Sequence, residues 1–287
     1  MLHHRLTSSA IRRRIIRSDD TIERHGEPRY TIASIINDHA QLEAMHCSFR
    51  AGGFNFSDCE YMYIDNSKGE QICAYSGLNA LLNEARGRHV ILCHQDVRLL
   101  TDMRTDLDAR LAELDEHDAA WALAGNAGGV GAGQLAVRIT DPHGANQKVG
   151  TFPSHVMSLD ENFIVVRREA RIGFSNNLSG FHFYGADICL NAATAGWNAY
   201  VIDFHLAHLS AGKKDESFTA SQDAFRTKWS NAFAPRWMQT TCALIQLAGN
   251  PLGRLAGRIA TSPFRKISRR LPGAAGWTGG RTDRKAG

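Results

Sequence analysis

The chain has 287 residues, a length that accommodates one large α/β domain, or two small ones, with an ample buried core. Apolar residues make up 43% of the chain and charged residues 22%; these fractions are ordinary for a globular protein and by themselves exclude few classes. The formal net charge of +4 is concentrated in two arginine-rich ends, residues 12–17 and 254–284, which are typical of solvated arms or of segments that dock on anionic lipid or nucleic acid.

Cysteine usage and hydropathy indicate the cellular compartment of the protein. The six cysteines are scattered, and none forms a Cys-x-x-Cys pair. This spacing predicts a reducing compartment, with neither a disulfide framework nor a zinc cluster. No stretch is apolar enough for a membrane span, and the first residues lack the apolar core of a secretory signal, so we expect a cytoplasmic protein. An arginine-rich organellar transit peptide over residues 1–17 is the alternative.

Strands alternate with helices from residue 30 onward. β-Branched apolar runs indicate strands, and apolar residues at helical spacing indicate helices. The elements predicted for the first half are a strand at Tyr30–Ile36, a helix at 41–50, a strand at Glu60–Ile64, a helix at Tyr75–Ala85, a strand at His89–Cys93 and a helix at 102–116. The alternation predicts an α/β fold with a doubly wound, mostly parallel, Rossmann-like sheet and helices on both faces.

A polar pair follows each of these three strands: Asn37-Asp38, Asp65-Asn66 and Gln95-Asp96. In open α/β sheets, ligands bind outside the carboxyl ends of the strands, near a topological switch point. We therefore expect the three polar loops to converge on one crevice. The pattern predicts a site without specifying its chemistry.

The second half of the chain is less regular. Residues 125–133 are interpreted as a glycine-dense loop, which carries neither a phosphate-loop motif nor a dinucleotide-binding fingerprint. The elements predicted beyond it are a strand at Phe163–Val166, a helix at 181–195, a strand at Tyr200–Ile202 and an amphipathic helix at Asp215–Trp229.

Four residues are candidates for chemistry. Asp96 follows a buried strand, where a carboxylate can hold Mg²⁺ or Mn²⁺, although loop and N-cap aspartates are common there. Asp187 lies among apolar residues that favour a raised pKa and a general base, or it is a helix-start aspartate. His208 can complete the coordination of a metal held by Asp96, and His182 can orient a substrate; for both, a structural histidine is the ordinary alternative. His205 and His208 form a His-x-x-His pair, but no further zinc ligand lies nearby in the sequence.

These stretches occur together in an order that resembles a known family. The segments that carry the resemblance are Val-Ile-Leu-Cys-His-Gln-Asp-Val97, Phe-His-Phe-Tyr-Gly-Ala-Asp-Ile-Cys-Leu190, His-Leu-Ser-Ala-Gly212 and Phe225-Arg-Thr-Lys-Trp229. Over residues 30–232 the chain resembles the family 2 glycosyltransferases of GT-A fold, and within them the bacterial branch named after a streptomycin-biosynthesis protein.

The resemblance implies roles for individual positions. Asn37 and Asp65 match positions that hold the nucleotide base and ribose, and Asn79 lies on a helix that faces the nucleotide. Asp96 matches the last aspartate of a metal-binding Asp-x-Asp motif, with His208 as a further metal or diphosphate ligand. Asp187 matches the catalytic base of a Glu-Asp pair. The predicted nucleotide-sugar-binding set is Asn37, Asp65, Asn79, Gln95, Asp96 and His182, and the predicted metal ligands are Asp96 and His208.

Two positions depart from the family pattern. His94 replaces the first aspartate of Asp-x-Asp, so the metal is expected to have one fewer carboxylate ligand. Ala186 replaces the first acid of Glu-Asp and leaves Asp187 alone. The departures favour the main alternative, a non-catalytic nucleotide- or sugar-binding module. A sugar nucleotidyltransferase is a third option, but those enzymes usually carry a glycine-rich basic loop after the first strand.

The sequence thus predicts three regions and one reaction. Residues 1–29 form a basic arm, 30–232 a GT-A domain, and 233–287 a basic tail that is amphipathic or disordered. We expect a Mn²⁺- or Mg²⁺-dependent, inverting transfer of a sugar from a nucleotide-sugar donor to a carbohydrate, lipid-linked or small-molecule acceptor, and no nucleic-acid partner. The tail, from Ala243 to Arg270, alternates apolar and basic residues, and either lies on the anionic inner face of a membrane or is solvated.

Overall fold

The computed structural model describes residues 7–18, 26–212, 215–241 and 244–255. The chain divides into two compact units, residues 1–225 and residues 226–287. The helices are α1 (Ser8–Arg12), α2 (His39–Ala51), α3 (Ala74–Glu84), α4 (Arg104–His117), α5 (Tyr184–Thr194) and α6 (Glu216–Phe233). The strands are β1 (Ile15–Arg17), β2 (Tyr30–Ile36), β3 (Cys59–Asp65), β4 (His89–Cys93), β5 (Val97–Leu99), β6 (Trp121–Gly125), β7 (Ala127–Gly131), β8 (Gln134–Asp141), β9 (Gly144–Val149), β10 (Ser154–His155), β11 (Ser158–Leu159), β12 (Phe163–Arg167), β13 (Asn198–Val201), β14 (Leu206–His208), β15 (Arg236–Gln239) and β16 (Leu244–Leu247).

The first unit is built on an eight-stranded sheet with the order β1-β3-β2-β4-β12-β6-β13-β10. Strands β3, β2 and β4 are mutually parallel, and β6 and β13 run the same way, because β12 pairs antiparallel with both β4 and β6. Five of the eight strands therefore share one direction, and β1, β12 and β10 oppose it. The predicted α/β fold with a mostly parallel sheet is confirmed.

Helices cover both faces of this sheet, as predicted. One core cluster joins α3 and α5 to the sheet through residues such as Leu78 and Ile188. The other joins α2 and α4 to the opposite face through residues such as Phe49 and Leu111. Successive side chains of a strand point to opposite faces, so β2, which is apolar on both sides, contributes to both clusters.

A second sheet has the order β11-β7-β8-β14-β5, with β9 paired to β8. The interpretation of residues 125–133 as a loop is wrong, because this segment contains the end of β6 and the whole of β7. Its glycines allow close packing: a Cβ at Gly128 would overlap the carbonyl oxygen of Ser158 on the neighbouring strand β11. Glycine density marks close strand pairing here.

One stretch of the basic N-terminal segment, strand β1, belongs to the sheet. Strand β1 adds an antiparallel edge to β3. The Arg17 guanidinium donates to Oε2 of the buried Glu60 at 2.7 Å, and the Arg86 guanidinium donates to the same oxygen at 2.8 Å. The arginines of residues 12–17 thus include one that anchors this segment to the sheet.

In the second unit, β15 and β16 form an antiparallel hairpin. Residues 244–247 of the predicted amphipathic segment are therefore strand, and residues 256–270 lie outside the described residues. The domain boundaries at 29 and 232 stay predictions. Among the residues that the structure describes, no helix combines the length and the hydropathy that a bilayer span needs.

Candidate active site

The polar pairs that follow β2, β3 and β4 lie at one edge of the main sheet, since these strands are parallel and adjacent. One or both residues of each pair line a cavity of about 340 Å³, which we call the strand-end cavity. Its polar lining comprises Asn37, Asn66, Gln71, His94, Gln95, Asp96 and Ser210. The topology thus brings together residues from three separate loops.

Gln95 and Asn37 form a rigid wall of the strand-end cavity. The side-chain oxygen of Gln95 accepts from the backbone nitrogens of Asn37 at 2.9 Å and of Asp38 at 3.0 Å. Its side-chain nitrogen donates to Oδ1 of Asn37 at 2.6 Å. These bonds tie the loop after β4 to the loop after β2.

Two of the residues predicted to bind the nucleotide do not line the strand-end cavity. Asn66, and not Asp65, lines the strand-end cavity; the Asp65 carboxylate accepts from the Ser67 backbone nitrogen at 2.7 Å and pairs with His39 at 2.9 Å. Asn79 bonds both backbone groups of Phe174, at 2.8 Å each, and is absent from the lining of the cavities described here. The helix that carries Asn79 uses this side chain to hold the loop around residue 174.

A cluster of metal-ligating side chains stands at the inner end of the strand-end cavity. One ligand atom from each of His94, Asp96 and His208 lies within 4.8 Å of the others. Nε2 of His208 is 3.5 Å from Oδ1 of Asp96 and 3.3 Å from Nδ1 of His94. Because β14 pairs with β5, His208 lies opposite Val97 and hence beside Asp96, although 112 positions separate the two residues in the sequence.

The three side chains of this cluster shift one another's pKa values. Burial would raise the pKa of Asp96, but the hydrogen bond and charge of His208, with smaller contributions from Ser210 and His94, lower it to about 2. Burial would lower the pKa of His208, but Asp96 raises it. The pKa of His94 is lowered by burial and by the charge of His208. The two histidines therefore favour the ionised form of Asp96.

The three side chains form a candidate site for a divalent metal ion. The set has one fewer carboxylate, as expected, and a ring nitrogen of His94 lies among the candidate ligand atoms in its place. The Tyr184 hydroxyl donates to the Glu161 carbonyl at 3.2 Å and lies 2.7 Å from Nε2 of His94. With its hydrogen engaged there, the hydroxyl accepts from Nε2–H, which leaves the Nδ1 lone pair of His94 directed to the cluster. Imidazole nitrogens and carboxylate oxygens are both ordinary ligands of divalent metal ions, and the choice between Mn²⁺ and Mg²⁺ stays a prediction.

A second cavity, of about 470 Å³, lies at the amino-terminal ends of α5 and α6, and we call it the helix-end cavity. It shares His94 and Ser210 with the strand-end cavity, so the two meet at the metal-ligand cluster. His182 lines this second cavity, 5.4 Å from the Phe218 ring between ring centroids. The predicted nucleotide-sugar ligand His182 therefore lies on the other side of the cluster from Asn37.

Asp187 is absent from the lining of both cavities. Its side chain is fully buried and accepts from the backbone nitrogen of Ser175 at 2.8 Å and from its hydroxyl at 2.7 Å. Asn191 donates to it at 3.2 Å. Successive residues of a helix point about 100° apart, so Ala186 faces the helix-end cavity while Asp187 faces the core. Its role as base stays a prediction, and its observed contacts hold α5 to the loop at residue 175.

Glu161 is a carboxyl group that sequence reasoning missed. It lines the helix-end cavity together with Ala186, and its Oε1 accepts from the Gly185 backbone nitrogen at 3.3 Å. Burial, and secondarily the charge of Asp160, raise the pKa of Glu161 to about 8, although backbone N–H groups at the start of α5 oppose the shift. A Cβ at Gly185 would overlap the Leu159 carbonyl oxygen, so this glycine lets α5 begin against the segment that carries Glu161. In the sequence, Asp160-Glu161-Asn162 resembles any polar turn before a strand.

His205 is separate from the cluster. Its Nε2 lies 2.9 Å from the Thr140 hydroxyl, and its backbone nitrogen donates to Asp102 at 2.7 Å. The two histidines of the His-x-x-His pair thus contact different groups.

Fold and site together define an α/β protein with a three-residue metal-ligand cluster between two cavities. No family model matches the chain. It is 34% identical, over 226 residues, to the protein of Fuscovulum blasticum called "ATP synthase subunits region ORF 6", an alignment that covers 77% of this chain and 91% of that protein. The chain belongs to the family of this ORF 6 protein. That name describes a gene region, so membership of the family 2 glycosyltransferases and of the streptomycin-named branch stays a prediction.

Solved structures with similar folds include glycosyltransferases. The mannosyltransferase PcManGT from Pyrobaculum calidifontis, solved with GDP-Man and Mn²⁺, is 12% identical, with a TM-score of 0.45, over 72% of this chain and 65% of that chain. GalNAc-T7, solved with UDP, GalNAc and Mn²⁺, is 9% identical, with a TM-score of 0.44, over 64% of this chain and 44% of that chain. A197 from STIV is 12% identical, with a TM-score of 0.41, over 63% and 85%. Likeness at these scores establishes neither an activity nor a substrate for this chain.

Proposed function

We propose that the protein is a metal-dependent glycosyltransferase that moves a sugar from a nucleotide-sugar donor to an acceptor hydroxyl group. The observation that carries the proposal is the His94–Asp96–His208 cluster at the junction of two cavities. A group-transfer enzyme needs to hold two substrates on either side of one reacting centre. Three of the four sequence segments that resemble family 2 glycosyltransferases contribute residues to the walls of these cavities.

The strand-end cavity is proposed to bind the nucleotide part of the donor. Asn37, Gln95 and Asn66 line this cavity, and their side-chain NH₂ groups are proposed to donate to a base and a ribose, since the side-chain oxygens of Gln95 and Asn66 already accept from backbone nitrogens. Asp65 is proposed to reach a ribose hydroxyl from the cavity's edge. Asp96 and His208, joined by His94, would hold the metal. A Mn²⁺ ion bound there would neutralise negative charge on the leaving diphosphate.

The helix-end cavity is proposed to bind the acceptor. Its mixed lining of aromatic and polar side chains, including His182, Phe183 and Phe218, suits a hydroxyl-rich molecule with apolar ring faces. An acceptor held there approaches the donor sugar from a cavity separate from that of the diphosphate. Attack from the side opposite the diphosphate would invert the anomeric carbon, which is the outcome that the family resemblance implies.

Thermal unfolding in the presence of nucleotides tests the donor site. A ligand that binds only the folded protein raises Tm. We expect a Tm increase with one nucleoside diphosphate in the presence of Mn²⁺, and loss of the increase in Asp96→Ala. Glu113→Ala, which removes an exposed carboxyl on α4, should keep it. A cooperative transition that no nucleoside diphosphate shifts would contradict the proposal.

The non-catalytic alternative was favoured by the replacements at His94 and Ala186. In the structure a ring nitrogen of His94 lies within 4.8 Å of the candidate ligand atoms of Asp96 and His208, which weakens one of these two arguments. Release of nucleoside diphosphate from a nucleotide sugar would exclude a binding module. For the nucleotidyltransferase alternative, the described residues add no support, since Asn37-Asp38-His39 follows β2 in place of a glycine-rich loop.

The acceptor class and the place of action remain proposals. Carbohydrate, lipid-linked and small-molecule acceptors all present a hydroxyl group. Peripheral contact with an anionic membrane rests on the basic residues 254–284, most of which lie outside the described residues. Co-sedimentation of the full chain with anionic but not with neutral liposomes is the expected result of such contact.

A further inference from the structure

The proposed transfer requires a group that removes the proton from the acceptor hydroxyl. Within the proposed acceptor cavity, the side chain at position 186, where the family pattern has an acid, is a methyl group. The next position, Asp187, turns into the core and accepts bonds from Ser175 and Asn191. Neither position of the family's Glu-Asp pair, 186 or 187, therefore places a carboxyl group in the cavity wall.

Glu161 places a carboxyl group beside Ala186, the position at which the family pattern has an acid. It reaches the same wall from the neighbouring segment before β12, and the 3.3 Å bond from the Gly185 nitrogen to its Oε1 places it directly beside Ala186. It also lines a smaller cavity of about 70 Å³ that includes His94 and Tyr184. Glu161 therefore lines two cavities together with His94 of the metal-ligand cluster.

Since the protein is, as proposed above, a glycosyltransferase, we propose that Glu161 is its general base, replacing the acid that is missing at Ala186. Its carboxylate accepts the proton of the acceptor hydroxyl as the acceptor oxygen forms a bond to the anomeric carbon. The bond from that carbon to the diphosphate oxygen breaks, and the nucleoside diphosphate leaves with the bonding electrons. The products are the glycosylated acceptor, the free nucleoside diphosphate and a proton on Glu161.

The environment of Glu161 supports this assignment. Burial and the neighbouring Asp160 raise its pKa to about 8. A general base works best when its pKa lies near the working pH, because an ionised fraction is then present and that fraction binds a proton strongly. Because its surroundings already favour the neutral carboxyl, Glu161→Gln should fold with an unchanged or higher Tm. A loss of activity in this variant can then be attributed to chemistry.

The experiment compares Glu161→Gln with Asp187→Asn and with the exposed control Glu113→Gln. Release of nucleoside diphosphate from a set of UDP- and GDP-sugars is measured with Mn²⁺, using water as the acceptor and then adding sodium azide. Azide is an anionic nucleophile with no proton to lose, so it bypasses the base. The Tm increase caused by nucleoside diphosphate with Mn²⁺ is measured for each variant as the readout of the donor site.

We expect Glu161→Gln to keep the nucleotide-dependent Tm increase and to lose about 10²- to 10⁴-fold in turnover with water. Azide should restore turnover in this variant more than in the unaltered protein, and glycosyl azide should form. Unchanged turnover in Glu161→Gln, a loss that azide does not restore, or loss of the nucleotide-dependent Tm increase would each overturn the assignment.

Failure of the proposed function has a different signature. If no nucleoside diphosphate shifts Tm of the unaltered protein, the donor site is overturned, and the base with it. If nucleotides bind but no donor is turned over by the unaltered protein, the chain is a binding module and has no base. Retained activity in Glu161→Gln with loss in a folded Asp187→Asn would return the role to Asp187 while leaving the glycosyltransferase proposal intact.

Discussion

The strand-end cavity and the helix-end cavity each contain one carboxyl group with a strongly shifted pKa, and the shifts have opposite signs. Asp96 has a pKa of about 2, because His208 and His94 outweigh the cost of burial. Glu161 has a pKa of about 8, because burial and the charge of Asp160 outweigh the backbone N–H groups of α5. His94 lies at the boundary and lines both cavities.

The difference assigns roles to two chemically similar groups. A carboxylate that stays ionised suits a metal and a diphosphate, whereas one that is easily protonated suits proton transfer. The partner groups, and not the residue type, decide between these roles. Substitutions of the carboxyl groups in the two cavities should therefore change turnover and its metal dependence. Substitutions of buried carboxyl groups outside both cavities should change the free energy of unfolding instead.

Apart from Glu161→Gln, the largest effect on turnover is expected from Asp96→Asn, which keeps the size of the side chain and removes its charge. Loss of a metal ligand and of charge stabilisation should lower the turnover of nucleotide sugars by about 10²- to 10³-fold. The dependence of the rate on Mn²⁺ concentration should weaken in parallel. Unchanged turnover with unchanged Mn²⁺ dependence would place the metal elsewhere.

Glu60→Gln tests a third buried carboxyl, which lies in neither cavity. Burial would raise the pKa of Glu60, but bonds from Thr31 and Arg86 and the charge of Arg17 lower it. Removing its charge should lower the free energy of unfolding by about 2–4 kcal/mol at pH 7, because Arg17 and Arg86 lose their shared partner. Turnover per folded molecule should not change.

This contribution also has a pH dependence. Since the pKa of Glu60 is lower in the folded protein, its stabilisation is present above the unfolded pKa, about 4.3, and is lost as pH falls through the folded pKa. Urea unfolding of the unaltered protein and Glu60→Gln should give curves that converge at acidic pH. A difference that stays constant down to pH 3 would contradict the ionised state.

Asp187→Asn separates a core contact from a catalytic one. An amide at this position presents an N–H to the Ser175 nitrogen or hydroxyl, so one buried polar group loses its partner. The free energy of unfolding should fall by about 1–3 kcal/mol, and turnover per folded molecule should stay within about threefold of the unaltered protein. A loss of turnover without a loss of stability would support the base assigned from the family resemblance.

The smallest effect is expected from His94→Asp, which restores the acid of the family's Asp-x-Asp motif. An oxygen ligand in place of a nitrogen ligand should shift the metal preference from Mn²⁺ toward Mg²⁺ by about tenfold or less. Each metal is titrated in the presence of nucleoside diphosphate, and the concentration that gives half of the maximal Tm increase is determined. The ratio of these concentrations for Mn²⁺ and Mg²⁺ measures the preference. An unchanged Mn²⁺ to Mg²⁺ ratio would show that His94 does not ligate the metal.

Much of the first half was predictable from the sequence. The strands at Tyr30–Ile36 and His89–Cys93 have the predicted bounds, and the helices begin or end within a few residues of the predicted ones. Local hydrophobic periodicity decides these elements. The strand-end residues Asn37, Gln95 and Asp96 were also predictable, because parallel neighbouring strands must end at one edge of the sheet.

The second half required the tertiary structure. Residues 127–131 form a strand because their glycines allow a close approach to β11 and not because of any β-propensity of their own. His208 meets Asp96 only through the pairing of β14 with β5. Hydropathy marked Asp187 as an acid in apolar surroundings, but it does not say whether those surroundings are a cavity or the core.

The sequence by itself determined the α/β class, the alternating elements and the polar strand ends, since each depends on residues close together in the chain. The tertiary structure alone decided which carboxyl groups face the cavities and which are ionised. Those properties depend on groups far apart in the sequence: Asp96 owes its charge to His208, and Glu161 owes its place to the start of α5 at Gly185. Burial and electrostatic environment are properties of contacts, and only the folded chain defines the contacts.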